Sequence, residues 1–301
     1  MSPVLPHTIT DHVSRRTALA GVGTVAAVAA VTPALRRPLD PSWNADVSPS
    51  GMNMPTGDLA GWNQVIAEDF DVDFPRGAFV TDQQGALLPS CAAHQTYARR
   101  LCAYPEGWKT QNGDGIYSPD RTISTNDSLL DFYLHTDGGL NRAVSAALFP
   151  LRPGGADNAR TFGRWSWRMR ASGVTGAGWG CVSLLWPENS QDWPGSGEAD
   201  WPEGDISGLV SGWNHPRSPV PAQTLIPGNG ALWADWHTYT IEWRQDSLSY
   251  FVDGVRTFAT SIAVPSTPMR WLTQSGPNDG SLASSTSAHL QIDWVVSYDP
   301  A

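Results

Sequence analysis

The sequence predicts an all-β protein, a jelly-roll sandwich of two antiparallel sheets, and three observations carry that reading. Only 16% of the residues are charged, against 29 Gly, 24 Pro and 15 Trp. That is a composition of short strands, tight turns and large flat core side chains rather than of helices. Stretches with period-two alternation recur from Trp62 to Tyr298, divided by turns rich in Gly, Pro, Asn and Asp. Beyond the N-terminal segment no helical period of useful length appears, nor a repeat of about 20–50 residues.

The N-terminus stands apart. Ser14-Arg15-Arg16-Thr17 precedes an apolar run from Ala18 to Val31 and then small residues. This is the pattern of a twin-arginine export signal, and the run is too short to span a bilayer comfortably, so no stable membrane insertion is expected. Residues 1–35 are read as the signal segment, 36–60 as a linker and 61–301 as a single jelly-roll domain of a secreted protein.

The elements follow in order. Residues 62–74 read as a first strand running into an acidic loop. Residues 75–120 have no clear period and spread Tyr97, Tyr104, Trp108 and Tyr117 among turn residues. A loop this long in a compact domain is usually functional, and here it is expected to cover part of a groove. Residues 128–135 alternate, Thr136-Asp137-Gly138-Gly139 turns the chain, and 141–149 return as one strand. In 162–171 the arginines 164, 168 and 170 oppose Trp165, Trp167 and Met169, and 179–186 are continuously apolar, as in a strand covered on both faces. Strands at 236–243, 247–252 and 255–258 come next, the last two joined by a tight Asp253-Gly254 turn. Residues 269–274 and 288–298 complete the set, with Leu290, Ile292, Trp294, Val296 and Tyr298 expected on one face.

The chemistry concentrates between Gly195 and Gly204, where Glu198, Asp200 and Glu203 fall within six residues and Trp193 and Trp201 stand among them. Cleaving a glycosidic bond needs two carboxyls held close together, and sugars stack on aromatic faces. Strand alternation puts Glu198 and Asp200 on one face and Glu203 on the other, unless a bulge inserts one residue. Pro202 lies where that bulge would fall, one of the few places a sheet tolerates proline. A solvated acidic turn or a calcium loop would use the same residue types.

Composition narrows the partners. A net charge of -10 opposes nucleic acid and anionic membranes, while a neutral polysaccharide is compatible. Cys91, Cys102 and Cys181 have no zinc-site spacing. Cys91 and Cys102 are close enough in sequence to bridge a loop in an oxidising compartment, and Cys181 reads as a small buried hydrophobe.

Four landmarks in order resemble glycoside hydrolase family 16, the laminarinase, lichenase and agarase superfamily: Phe162-Gly-Arg-Trp-Ser-Trp-Arg-Met-Arg170, then Gly197-Glu-Ala-Asp-Trp-Pro-Glu-Gly204, then Trp236–Trp243 with Tyr250-Phe-Val-Asp-Gly-Val255, and finally Leu290–Tyr298. The resemblance implies a concanavalin A-like jelly roll and a retaining double displacement, with Glu198 as nucleophile, Glu203 as general acid/base and Asp200 between them. A retaining pair needs carboxyls about 5–5.5 Å apart. Asp200 should help raise one glutamate's pKa, and Glu203 is the expected proton carrier. Ala199 stands where the family usually has Ile or Val, and Ser183 replaces an aromatic residue common in laminarinases. Trp186 and Trp193 are candidate groove walls, with Trp201 read as core. His215 is expected on the strand beside the acids, within reach of the sugar, and Gln274 and Arg142 are further polar candidates. No cofactor is implied for catalysis. A structural calcium on the convex face is, with Asp69 and Asp293 near the corresponding positions.

The expected function is therefore a monomeric, secreted, endo-acting β-glycanase on β-1,3- or mixed β-1,3/1,4-glucan. The rivals are a transglycosylase, a hydrolase of another polysaccharide of galactan type, a non-catalytic carbohydrate-binding jelly roll and a polysaccharide lyase. Longer products would mark the transglycosylase, binding without cleavage the binding module, and unsaturated products the lyase.

Overall fold

The computed structural model describes residues 48–301 apart from 111–112, 138–141, 146, 221, 279–281 and 284, and the side chains of 142–147 are not described either. The expected signal at 1–35 and most of the expected linker lie outside the described residues. The strands are β1 (Trp62–Glu68), β2 (Leu101–Ala103), β3 (Gly115–Tyr117), β4 (Ile123–Asn126), β5 (Leu129–Asp137), β6 (Arg142–Ser145), β7 (Ala147–Pro150), β8 (Gly163–Thr175) and β9 (Trp179–Pro187). They continue with β10 (Glu198–Asp205), β11 (Leu209–His215), β12 (Thr224–Leu232), β13 (His237–Arg244), β14 (Ser247–Val252), β15 (Val255–Thr260), β16 (Met269–Pro277) and β17 (Ser287–Pro300). Two single-turn helices, α1 (His94–Tyr97) and α2 (Pro119–Thr122), sit in the long N-terminal connection.

These strands form a ten-stranded and a seven-stranded sheet. The larger runs β15-β14-β13-β8-β17-β5-β6-β3, with β1 on β17 and β4 on β5, and the smaller runs β12-β11-β10-β9-β16-β7-β2. Pairing is antiparallel except for β3 on β6. The sandwich fills as strand alternation requires. Trp165, Trp167 and Met169 of β8 face Trp179 of β9, Trp201 of β10 and Trp271 of β16 in one inter-sheet core. Burying a tryptophan removes about 200 Å² from water, roughly 5 kcal/mol each before conformational entropy is subtracted. The arginines of β8 point outward, Arg164 to Glu242 and Arg170 to Gln291.

Four elements differ from expectation. The single strand at 141–149 is two: β6 lies in the larger sheet and β7 in the smaller, so the chain changes sheets here, as strands at sandwich corners do. In β17 the register shifts between Ile292 and Trp294, so Leu290 and Ile292 enter the inter-sheet core while Trp294, Val296 and Tyr298 join Trp62 and Met54 in an outer cluster. One extra residue reverses the facing of all that follow. Strand β12 was hidden by Pro227, Gly228 and Gly230, which oppose a strand reading but are tolerated on an edge. Residues 48–60, read as linker, pack instead on the outer face. The Trp294 indole donates to the Met52 carbonyl at 2.9 Å, and Leu59 exchanges backbone bonds with Trp62.

The cysteines are free. Cys91 packs against the inter-sheet core, whereas Cys102 belongs to the cluster on the far side of the smaller sheet, so the sheet itself separates the two thiols. Burial pushes the Cys102 and Cys181 thiols up to about 12.

Candidate active site

Strand β10 carries the acids, and its neighbours reveal how they face. Asp200 pairs with Leu184 of β9 and Trp213 of β11, and Glu203 pairs with Val182 and Ser211 of the same strands. Between these pairs β10 advances by one residue more than either neighbour, so the expected bulge is present at Trp201-Pro202. Val182 and Leu184 share a face, as do Ser211 and Trp213. Glu203 therefore shares a face with Asp200, and Glu198 lies on it too. Trp201 turns to the inter-sheet core, where its indole donates to the Phe251 carbonyl at 2.8 Å. Gly212 on β11 permits the close approach: a Cβ there would strike the Asp200 carbonyl and the Trp201 ring.

The face of the smaller sheet that carries the acids is the one away from the sandwich core. Glu198 accepts a hydrogen bond from the Trp193 indole at 3.0 Å. Trp193 stacks on Trp186 with centroids 5.9 Å apart and planes 20° off parallel, and the Trp186 indole donates to the Ser190 hydroxyl at 2.8 Å. His215 stands opposite Glu198 in register, its Nε2 3.0 Å from Asp200 Oδ2. One ligating atom from each of Glu198, Asp200 and His215 lies within 4.8 Å of the others. The Glu198 carboxyl is held well above the usual carboxylate range, first by burial and then by the Asp200 charge, against the opposing pull of His215. It also shares a hydrogen bond with Asp200. The sequence placed the raised carboxyl on Glu203. The structure places it on Glu198, because burial and Asp200 act there together.

The other candidates divide. Gln274 pairs with Val182, so it sits on the same face two strands from Glu203, about 10 Å away at ordinary strand spacing. Arg142 lies on β6 in the other sheet, opposite Asp137, and its side chain is outside the described residues. Ser183 and Ala199 both face the inter-sheet core, Ser183 donating to the Thr273 hydroxyl at 3.0 Å. The Ser183 replacement therefore touches no groove residue.

Asp69 and Asp293 do not form a calcium site. The buried Asp293 carboxylate accepts from the Ser48 hydroxyl and the Ser50 amide. Asp69 groups instead with Glu68 and Asp71, where the Glu68 carboxylate is occupied by Arg100 at 2.6 Å. An Asp already saturated by local donors, apart from its expected partner, does not fit a calcium ligand set.

Sequence reasoning passed over three residues around the acids. Tyr104 is buried near Glu198, whose charge contributes to its raised pKa. Its only signal was membership of the aromatic-bearing 75–120 stretch. Arg270, fully buried beneath Trp186 in register, is bound by Asp157 at 2.8 Å. Trp213 stands next to Asp200, and parity with His215 on one strand would have found it.

Residues 155–296 match the family model described as Glycosyl hydrolases family 16. No curated protein matches the chain. Among solved structures, SCLam, a non-specific endo-β-1,3(4)-glucanase from family GH16, is similar with a TM-score of 0.61 at 16% identity, over 81% of this chain and 97% of its own. The catalytic domain of an endo-1,3-β-glucanase (laminarinase) from Thermotoga petrophila RKU-1 gives 0.55 at 17% identity, over 79% and 98%. A structure described with endo-acting O-glycanases of the human gut microbiota that initiate mucin breakdown gives 0.60 at 18% identity, over 82% and 94%. At such identities these likenesses establish the jelly-roll fold.

Proposed function

We infer from the membership of residues 155–296 in glycoside hydrolase family 16 that this enzyme is a retaining β-glycanase acting on β-1,3- or mixed β-1,3/1,4-glucan. The observation that carries the reading is the β10 bulge, which gathers Glu198, Asp200 and Glu203 on one face. The Glu198 carboxylate attacks the anomeric carbon while Glu203 gives its proton to the departing glycosidic oxygen. Water then attacks the glycosyl–enzyme ester, Glu203 takes the water's proton, and Glu198 is released. In the resting site the Glu198–Asp200 hydrogen bond holds a proton between the two carboxyls. When that proton resides on Asp200, Glu198 is free to attack, and His215 favours this charge arrangement. Trp193 orients Glu198 through its indole N–H and offers an aromatic edge to the sugar. No metal or cofactor enters any step.

The reading is tested by following the anomer released from laminarin or lichenan by NMR. Net retention is expected, and an inverted first product would refute the assignment. Activity on mucin-type or galactan substrates with none on glucan would move the substrate while keeping the chemistry, a reading supported by the O-glycanase likeness. Products longer than the oligosaccharide supplied would instead mark transglycosylation. Residues 14–19, with their arginine pair, support export by the twin-arginine route. Replacing both arginines with lysine is expected to retain the protein in the cells, and undiminished secretion would refute the route. We take the working unit to be a monomer. Among the described residues no helix is long and apolar enough to cross a membrane.

A further inference from the structure

The groove face is not covered evenly on the two sides of the acids. A cross-strand row through Asp200 runs Leu272, Leu184, Asp200, Trp213, Leu225. On the β9–β16 side it is closed, with Leu184 and Leu272 buried under Tyr104, Trp108 and Tyr117. On the β11–β12 side it is open: Trp213 is half-buried and Leu225 is 54% exposed. The cover is built as a wall. Tyr104 meets Tyr117 edge-on with centroids 4.9 Å apart and packs on Trp108 at 5.6 Å. Backbone bonds from Gly107 to Tyr117 and from Tyr117 to Trp108 tie the segment into a hairpin-like unit. The open side presents an indole and a leucine in one line with the acids, ending at the edge strand β12.

We propose that the glycan is held on one side only: from the acids it runs across β11 and β12 over Trp213 and Leu225, while the Tyr104–Trp108–Tyr117 wall admits only a short end. This rests on the glycanase reading and narrows the internal cutting expected from the sequence. The occupant follows from continuity, since a chain whose scissile bond lies at Glu198 and Glu203 and which cannot extend under the wall must extend over Trp213. An indole offers a pyranose face the apolar contact a sugar chain seeks in water. Cleavage then falls at a fixed short distance from one end of the chain, and substrate length counts only on the open side.

The test is a ladder of end-labelled laminari- and mixed-linkage oligosaccharides, digested with the whole protein and sized, beside parent polysaccharides. Cuts at a constant distance from one end are expected at every length, with kcat/KM rising as the chain lengthens. Trp213→Ala is expected to flatten that rise, costing roughly tenfold on the longest substrate. Trp213→Phe is expected to keep most of it, which separates sugar stacking from a loss of fold. Trp108→Ala is expected to add cut positions further from the short end. Cuts spread over all internal positions, or a length dependence untouched by Trp213→Ala, would overturn the proposal and leave the glycanase standing. No cleavage of any member of the panel would bring down both.

Discussion

Glu68 and Glu198 are each buried glutamates with two ionisable neighbours, and the neighbours set them apart. The Glu68 carboxylate accepts two bonds from Arg100 at 2.6 Å and one from the Phe70 amide at 2.9 Å, and Arg100 lies over the Tyr97 ring. Glu198 faces Asp200 and His215. Burial pushes both carboxyls up. Arg100 then pulls Glu68 back toward ionisation, whereas Asp200 pushes Glu198 further. A fixed cation turns a buried acid into a clamp between β1 and the loop before β2. A second acid plus an imidazole leaves it able to exchange a proton. Both sites are acid-rich, so acid content alone does not separate structure from chemistry.

The largest expected effect lies at the reactive member. Glu198→Gln should cut turnover by about four orders of magnitude or more, measured on glucan, without lowering the thermal midpoint. Its stability should also depend on pH in a definite direction. The folded-state pKa of Glu198 is raised above its unfolded value, so the fold binds this proton more tightly than the unfolded chain does. That contribution is complete at pH below the unfolded value and is lost as pH rises through the folded one. The wild-type midpoint should therefore fall relative to Glu198→Gln as pH climbs past the ordinary carboxylate range. A constant gap between the two melting curves would break the contrast.

At the clamp the pattern should reverse. Arg100→Ala strands the Glu68 carboxylate and is expected to cost about 2–3 kcal/mol in denaturant unfolding, less than a fully buried pair because Arg100 is partly exposed. Activity per folded molecule should stay at the wild-type value. A loss of activity without a loss of stability would reverse the assignments. Next in size, His215→Gln removes the group that lowers the Glu198 pKa. The acidic limb of the pH–rate profile should move to higher pH, with kcat/KM down roughly tenfold below it. Smallest is Asp293→Ala, which frees Ser48 and Ser50 at a cost of about 1–2 kcal/mol. The wild-type midpoint should not respond to added calcium, and a rise would restore Asp293 as a ligand.

The sequence displayed the acids and their bulge because Pro202 marks the extra residue and alternation fixes the facing of the rest. It displayed β8 equally well, since Arg164, Arg168 and Arg170 can only point away from a tryptophan core. The β17 bulge at Asp293 carries no such mark: a buried aspartate reads like any polar position in an alternating strand. β12 was lost because an edge strand keeps Pro and Gly that a central one would exclude. The proton on Glu198 was out of reach for another reason. Which glutamate is raised depends on depth of burial and on the Asp200 contact, and both glutamates sit at equal rank in the motif.

The bonds from Ser48 and Ser50 to Asp293, and from Met52 to Trp294, anchor the start of the packed chain on the outer face of the ten-stranded sheet. The acids lie on the outer face of the seven-stranded one. A tether, label or fusion partner joined just ahead of Ser48 would thus leave the protein with its back to the attachment point and its groove turned toward the substrate. Immobilisation through that end is the orientation that leaves an insoluble glucan surface within reach.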